Sequence, residues 1–205
     1  MFGVLIYPGV EELDFQGPWE LAGMWHKYAA GPKPVLVAQF GEPVKCAHGM
    51  RVLPDFTFAD CPTLDYLLVP GGFSAFDEMK NAQLLEFVKQ KTIQVKAVIS
   101  VCSGSFIFLA AGLLTGRKAA TNWKVIPMLR EAGIEVVEER YVRDGKVWSS
   151  AGVSAGMDAT LALIAEQAGE SVAANVQHNA EYYPSQRIYG VEHRNEKSAA
   201  YFRSL

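Results

Sequence analysis

The sequence predicts an α/β fold in which a mostly parallel sheet is covered by helices on both faces. Two observations carry this. The runs FGVLIYP, PVLVAQF, LDYLLVPGG and VKAVISV are apolar almost throughout, the pattern of strands buried on both faces. Helical stretches alternate with these runs along the chain, as parallel crossovers require. A chain of 205 residues, 50% hydrophobic and 20% charged, can bury one core of this kind.

Each element follows in turn. FGVLIYP, ended by proline, is the first strand. GPWELAGMWHKYAA is the first helix, with Pro18 suited to an opening turn and apolar positions at helical spacing. PVLVAQF is the second strand, and VKCAHGMRVLPDFTFADCP breaks into short strands or ribbons around Gly49 and Pro54. LDYLLVPGG is the third buried strand and ends in two glycines. NAQLLEFVKQKT is an amphipathic helix, VKAVISV a further buried strand and GSFIFLAAGLL a buried helix. RKAAT is a short strand, and NWKVIPMLREAG a helix with Pro127 near its start. IEVVEERYVRDGKVWSSAG reads as strands joined by a hairpin turn at Asp144-Gly145. GMDATLALIAEQAG and ESVAANVQHNAEYY are two closing helices. Residues 1–183 carry no repeat or linker and form one domain; 184–205 is a more polar extension whose conformation the sequence leaves open.

A formal net charge of −3 and a pI near 5.8 give no attraction to nucleic acid or an anionic membrane. No apolar run is long enough to span a bilayer, and MFGVLIYPG lacks the basic leader and cleavage site of a signal peptide. Three cysteines without framework spacing fit free thiols in a reducing cytosol. The expected setting is cytoplasmic, with a small-molecule substrate.

Chemistry concentrates at three strand ends. Cys102 lies where VKAVISV gives way to a helix, the end of a parallel strand at which ligands bind. A sharp turn there exposes the sulfur, and the helix N-terminus favours a thiolate; a small buried residue is the alternative reading. Gly104 allows close backbone approach, and Ser103 and Ser105 are candidate caps. Gly71 and Gly72, in VPGG, offer N–H groups to a developing oxyanion, or form only a tight turn. Asp14 lies between the first strand and its helix, either as a cap or as a group that holds and delivers a proton.

LDFQGP, VPGG, SVCSGSFIFLAAGLLTGRKAATNW and GVSAGMD together resemble the ThiJ/PfpI superfamily, relatives of class I glutamine amidotransferase domains, from residue 2 to about 180. The pattern is most similar to the isocyanide hydratase branch. It also occurs in the amidase-like domain of some transcription regulators, which carry a helix-turn-helix region for which 205 residues leave no room. The resemblance implies a flavodoxin-like three-layer sandwich, a homodimer, and no metal or organic cofactor. By the same resemblance Cys102 is the nucleophile, Asp14 the carboxylate beside it and Ser103 the hydroxyl residue that follows. Gly72 and the Ser103 N–H are the oxyanion-type donors, and Val153 is an apolar pocket residue. Gly71, Phe73 and Asn122 complete the expected substrate site, with Phe76 beside Phe73 as a further wall.

Two departures narrow the chemistry. Protease-like members carry His after the nucleophile, where this chain has Ser103. Many relatives read Thr-His-Trp, where it has Thr121-Asn122-Trp123. Neither position supplies the base of a Cys-His pair. His26, His48, His178 and His193 are expected in surface or packing roles, and Cys46 with His48 falls short of a metal site. The implied reaction is hydration of an isocyanide to an N-substituted formamide through a thioimidate on Cys102. The alternatives are a glyoxalase or deglycase acting on 2-oxoaldehydes, an amidase- or protease-like hydrolase, and a non-catalytic redox-sensing module.

Overall fold

The computed structural model describes residues 1–184 and 198–203. In chain order the elements are β1 (Phe2–Leu5), α1 (Glu12–Ala29), β2 (Pro34–Ala38), β3 (Val44–Lys45), β4 (Arg51–Val52), β5 (Phe56–Thr57) and β6 (Tyr66–Val69). There follow α2 (Ala75–Glu78), α3 (Ala82–Gln94), β7 (Ala97–Val101), α4 (Gly104–Ala110) and β8 (Lys118–Ala119). A 3-10 turn (Trp123–Val125) leads into α5 (Ile126–Glu131), β9 (Glu135–Val136), β10 (Tyr141–Asp144) and β11 (Val147–Ser150). The last elements are α6 (Ala155–Ala168), α7 (Glu170–Asn179) and α8 (Ala200–Arg203).

Seven strands form the main sheet in the order β10-β11-β7-β6-β1-β2-β5. All its pairings are parallel except β10 with β11. The central strands β1, β6 and β7 are buried at every position, as their unbroken apolar sequences require. From β1 the chain moves one way to β2, and from β6 the other way to β7. Right-handed crossovers therefore put α1 and α3 on opposite faces, and α1, α6 and α7 pack together as one layer. The expected flavodoxin-like α/β sandwich is the observed fold.

α1 departs from its expected start. The helix begins at Glu12, which places Asp14 in its first turn rather than ahead of it, and Pro18 inside the helix. Two acidic residues in that turn suit the positive helix N-terminus. The missing Pro18 N–H is tolerated where α1 closes on α6. A Cβ on Gly17 would fall 2.7 Å from Met157, and one on Gly156 3.0 Å from Pro18. Tertiary packing thus overrides the local start signal. α2, a single turn after the two glycines, was not foreseen.

Of the 184–205 extension, residues 185–197 and 204–205 lie outside the described residues. The described part returns to the body: Ala199 is buried, and the Ala200 N–H donates to Glu138 Oε2 at 2.8 Å. On the outer side of α1, Leu13, Gly17, Trp19 and Met24 wall a groove of about 590 Å³ that Met50, Met157 and Tyr182 complete. Among the described residues no helix is long and apolar enough to cross a membrane.

Candidate active site

β1, β6 and β7 are parallel neighbours, so their carboxyl ends open on one edge, where the strand order reverses between β1 and β6. β7 delivers Cys102, β6 delivers Gly71 and Gly72, and the first turn of α1 delivers Asp14.

The turn at Cys102 is left-handed, with φ +57°, an uncommon conformation for a residue with a side chain. Surrounding bonds enforce it. Its N–H donates to Ala151 O at 3.0 Å, and its carbonyl accepts from Thr121 Oγ1 at 2.9 Å and Ser105 Oγ at 3.2 Å. The VPGG segment lies backbone to backbone against this turn. A Cβ on Gly71 would fall 2.6 Å from the Ser103 nitrogen, and one on Gly104 would overlap the Val69 and Pro70 carbonyl oxygens.

Ser103 and Gly72 close on one another. Ser103 Oγ accepts from the Gly72 N–H at 3.0 Å and donates to the Gly72 carbonyl at 2.8 Å. The Gly72 N–H, expected to face a substrate oxygen, is therefore occupied. The Ser103 hydroxyl proton is committed to the same glycine. Gly71 holds the acid rather than the substrate: its N–H donates to Asp14 Oδ2 at 2.8 Å.

Asp14 is fully buried, and its Oδ1 has no hydrogen-bond partner among the described residues. Burial pushes its carboxyl from 3.8 up to about 8; the Glu11 charge adds to this, while the Gly71 N–H and the Cys102 side chain pull it down. Cys102 is only 8% exposed. Burial pushes its thiol up to about 11, with the Asp14 charge adding and the Val153 N–H, the Ser103 N–H and the Asn122 side chain opposing. The exposed, helix-stabilised thiolate expected from the sequence is corrected here: desolvation outweighs the pull of a seven-residue helix. At neutral pH Asp14 is a neutral acid facing the sulfur. Cys46 is also pushed to about 11 by burial, so acidity does not single out Cys102. Its neighbours do.

A cavity of about 200 Å³ is lined by Cys102, Ser103, Gly72, Phe73, Phe76, Asn122, Val125 and Val153, with Glu11 and Lys124. Expected residues Gly72, Phe73, Asn122 and Val153 all reach it; Gly71 does not. Phe73 is 87% exposed and forms the rim, whereas Phe76 packs against Phe106 at 4.9 Å. Asn122 Oδ1 accepts from the Lys124 N–H at 3.0 Å, which fixes the side chain that faces the sulfur. Val153 adopts φ +43°, costly for a β-branched residue, and its N–H is a sulfur donor. No sequence signal points to that N–H. Nor does one point to Tyr7, buried at the end of β1 with its hydroxyl donating to the Pro70 carbonyl at 2.7 Å.

No histidine lines the cavity among the described residues. His26 bonds the Gly31 carbonyl, His178 meets Tyr183, and His193 lies outside the described residues. His48 pairs with Glu11 at 3.0 Å, and its backbone N–H donates to Glu12 Oε1 at 2.8 Å. Those partners come from the start of α1; Cys46, the partner weighed from sequence, is buried.

A left-handed cysteine turn, a glycine pair and a buried carboxylate meet at this edge of the sheet. The profile of the DJ-1/PfpI family matches residues 3–166. The chain belongs to the DJ-1/PfpI family. Within that family it is 37% identical to the isonitrile hydratase of Pseudomonas putida over 183 residues, 89% of this chain and 78% of that protein. It is 29% identical to the deglycase PfpI of Pyrococcus furiosus over 134 residues, 64% of this chain and 81% of that protein. Among solved DJ-1/PfpI structures, a ThiJ/PfpI family protein from Pseudomonas syringae superposes with a TM-score of 0.86 at 34% identity, covering 99% of this chain and 82% of that one.

Proposed function

We propose that this chain is a cysteine-dependent, cofactor-free enzyme that hydrates isocyanides to N-substituted formamides. The observation that carries the reading is the pairing of Cys102 with a buried carboxyl that holds its proton at neutral pH, beside a cavity walled by Phe73, Phe76, Val125 and Val153. An isocyanide carbon bears a lone pair and accepts a proton, so a neutral acid and a nucleophile suffice. The 37% identity to an isonitrile hydratase supports the same reading.

The steps follow from the pair. Asp14 gives its proton to the isocyanide carbon, the Cys102 sulfur adds to that carbon, and the thiol proton replaces the one lost from the carboxyl. A C–H and a C–S bond form, and the C–N triple bond becomes the double bond of a thioimidate. Water then adds to this carbon, passing a proton to Asp14 as Asp14 protonates the nitrogen. Collapse forms the formamide carbonyl, breaks C–S and returns a proton to sulfur, so every bond and proton is accounted for. Deglycase or glyoxalase chemistry is the second reading, supported by the PfpI similarity. It requires a donor for a carbonyl-derived oxyanion; Ser103 Oγ occupies the Gly72 N–H, which leaves that part to the Ser103 and Val153 N–H groups at the sulfur.

A homodimer is part of the proposal. The groove along α1 is bordered by exposed Leu13, Trp19 and Met50, a concentration of apolar surface typical of protein contacts. Three free cysteines fit a reducing, cytoplasmic setting. The deciding assay compares isocyanides with 2-oxoaldehydes on the parent protein and the Cys102→Ala variant. Cys102-dependent formamide release is expected. Turnover of 2-oxoaldehydes alone selects the second reading, and no turnover of either class removes both.

A further inference from the structure

We infer that Tyr7 is a positioning residue that sets the acidity of Asp14 through the peptide unit joining Pro70 to Gly71. The Tyr7 hydroxyl donates to the Pro70 carbonyl at 2.7 Å. The Gly71 N–H donates to Asp14 Oδ2 at 2.8 Å. These are the two ends of one amide: the carbonyl of Pro70 and the nitrogen of Gly71 share a single conjugated plane. A hydrogen bond received at the oxygen polarises such a group and strengthens what its N–H can give. The hydroxyl therefore acts on the carboxyl across the peptide, without touching it.

The geometry around this peptide leaves it little freedom. The Gly71 carbonyl accepts from the Glu11 N–H at 3.0 Å, and Ser103 crowds Gly71 from the other side. Tyr7 is buried, so water does not replace its hydroxyl at the Pro70 oxygen. The charged and titratable groups facing Tyr7 are Asp14 from α1, Glu78 from α2 and Cys102 from the β7–α4 turn. Those facing Asp14 are Glu11 and Cys102. Tyr7→Phe leaves all of them in place and removes only the bond to the carbonyl. The Gly71 N–H becomes a weaker donor, the Asp14 carboxylate loses stabilisation, and its acid form persists to higher pH.

The effect on Asp14 is independent of the reaction; only its consequence for the rate rests on the hydration reading. The test is a pH titration of 13C-aspartate-labelled protein by NMR, with the Asp14 signal identified by its loss in Asp14→Asn. Strengthening of about a fifth in a bond to a charged group corresponds to about 0.3 pH unit, so Tyr7→Phe is expected to move the Asp14 midpoint upward by about that amount. The alkaline limb of kcat/KM for isocyanide should move with it. An unchanged midpoint together with a lowered Tm overturns the inference and leaves the hydroxyl as a partner for a buried carbonyl. A midpoint that moves while the rate limb stays fixed upholds Tyr7 and removes Asp14 as the acid.

Discussion

Burying Asp14 sets a stability cost that grows with pH, and Asp14→Asn should expose it. The folded carboxyl titrates at about 8, against 3.8 for an ordinary carboxyl. The folded state thus binds more protons than the unfolded state across that window. A group whose folded pKa is raised contributes its stability in full below the unfolded value and loses it as pH rises toward the folded one. Each pH unit within the window is worth about 1.4 kcal/mol, so the parent should lose on the order of 4 kcal/mol between pH 5 and pH 8 through this one residue. The Cys102 thiol, pushed to about 11, contributes nothing across that range. Asparagine does not titrate. Its oxygen can keep the Gly71 N–H bond, while its NH₂ takes the place of Oδ1, which has no partner, at a cost of about 1–3 kcal/mol. The variant should be less stable than the parent at pH 5, match or exceed it at pH 8, and show a much flatter dependence between. Urea unfolding at both pH values, at one protein concentration, measures this. Parallel pH dependences for parent and variant would refute the burial argument.

The same variant should keep its fold but lose activity on the order of 10²–10⁴-fold, read as formamide release; near-parental turnover would leave the mechanism without its acid. In the parent, kcat/KM should fall as pH rises through about 8, where Asp14 gives up its proton, and a rate that climbs through that pH contradicts the assignment. Gly71→Ala drives a Cβ to within 2.6 Å of the Ser103 nitrogen and Oγ; it should cost about 1–3 kcal/mol and most of the activity, as checked by Tm and turnover together. Gly152→Ala presses only on Asn122 Nδ2, at 2.6 Å. It should lower the rate with little change in Tm, and an unaltered rate would mean that the Asn122 amide does nothing for the sulfur.

Most of the fold was legible because its signals are local. Unbroken apolar runs marked β1, β6 and β7, and turn glycines marked their ends. Cys102 and Gly71 could be placed at the same sheet edge on that basis. The start of α1 was misread because Pro18 marks a helix start only by local preference, and here it lies inside the helix against Gly156 of α6, next to Gly17, which Met157 crowds. The site's electrostatics were read with the wrong sign for a related reason. A helix N-terminus can be seen in a sequence, but the desolvation that opposes it depends on elements far apart in the chain. Val153 shows the limit: its N–H faces the sulfur only because of a left-handed backbone that its residue type disfavours, so no local rule anticipates it. The reciprocal bonds of Ser103 and Gly72 are equally non-local, since they join turns 31 residues apart.

α1 borders two spaces at once. Asp14 turns inward to the sulfur while Leu13 and Gly17, within one turn of it, wall the outer groove. The carboxyl can therefore be addressed from behind. A molecule seated against Leu13 presses on the helical turn that aims the acid, away from the cavity beside Cys102. In the proposed homodimer the partner subunit covers this groove, so a binder for it would compete with assembly rather than with substrate.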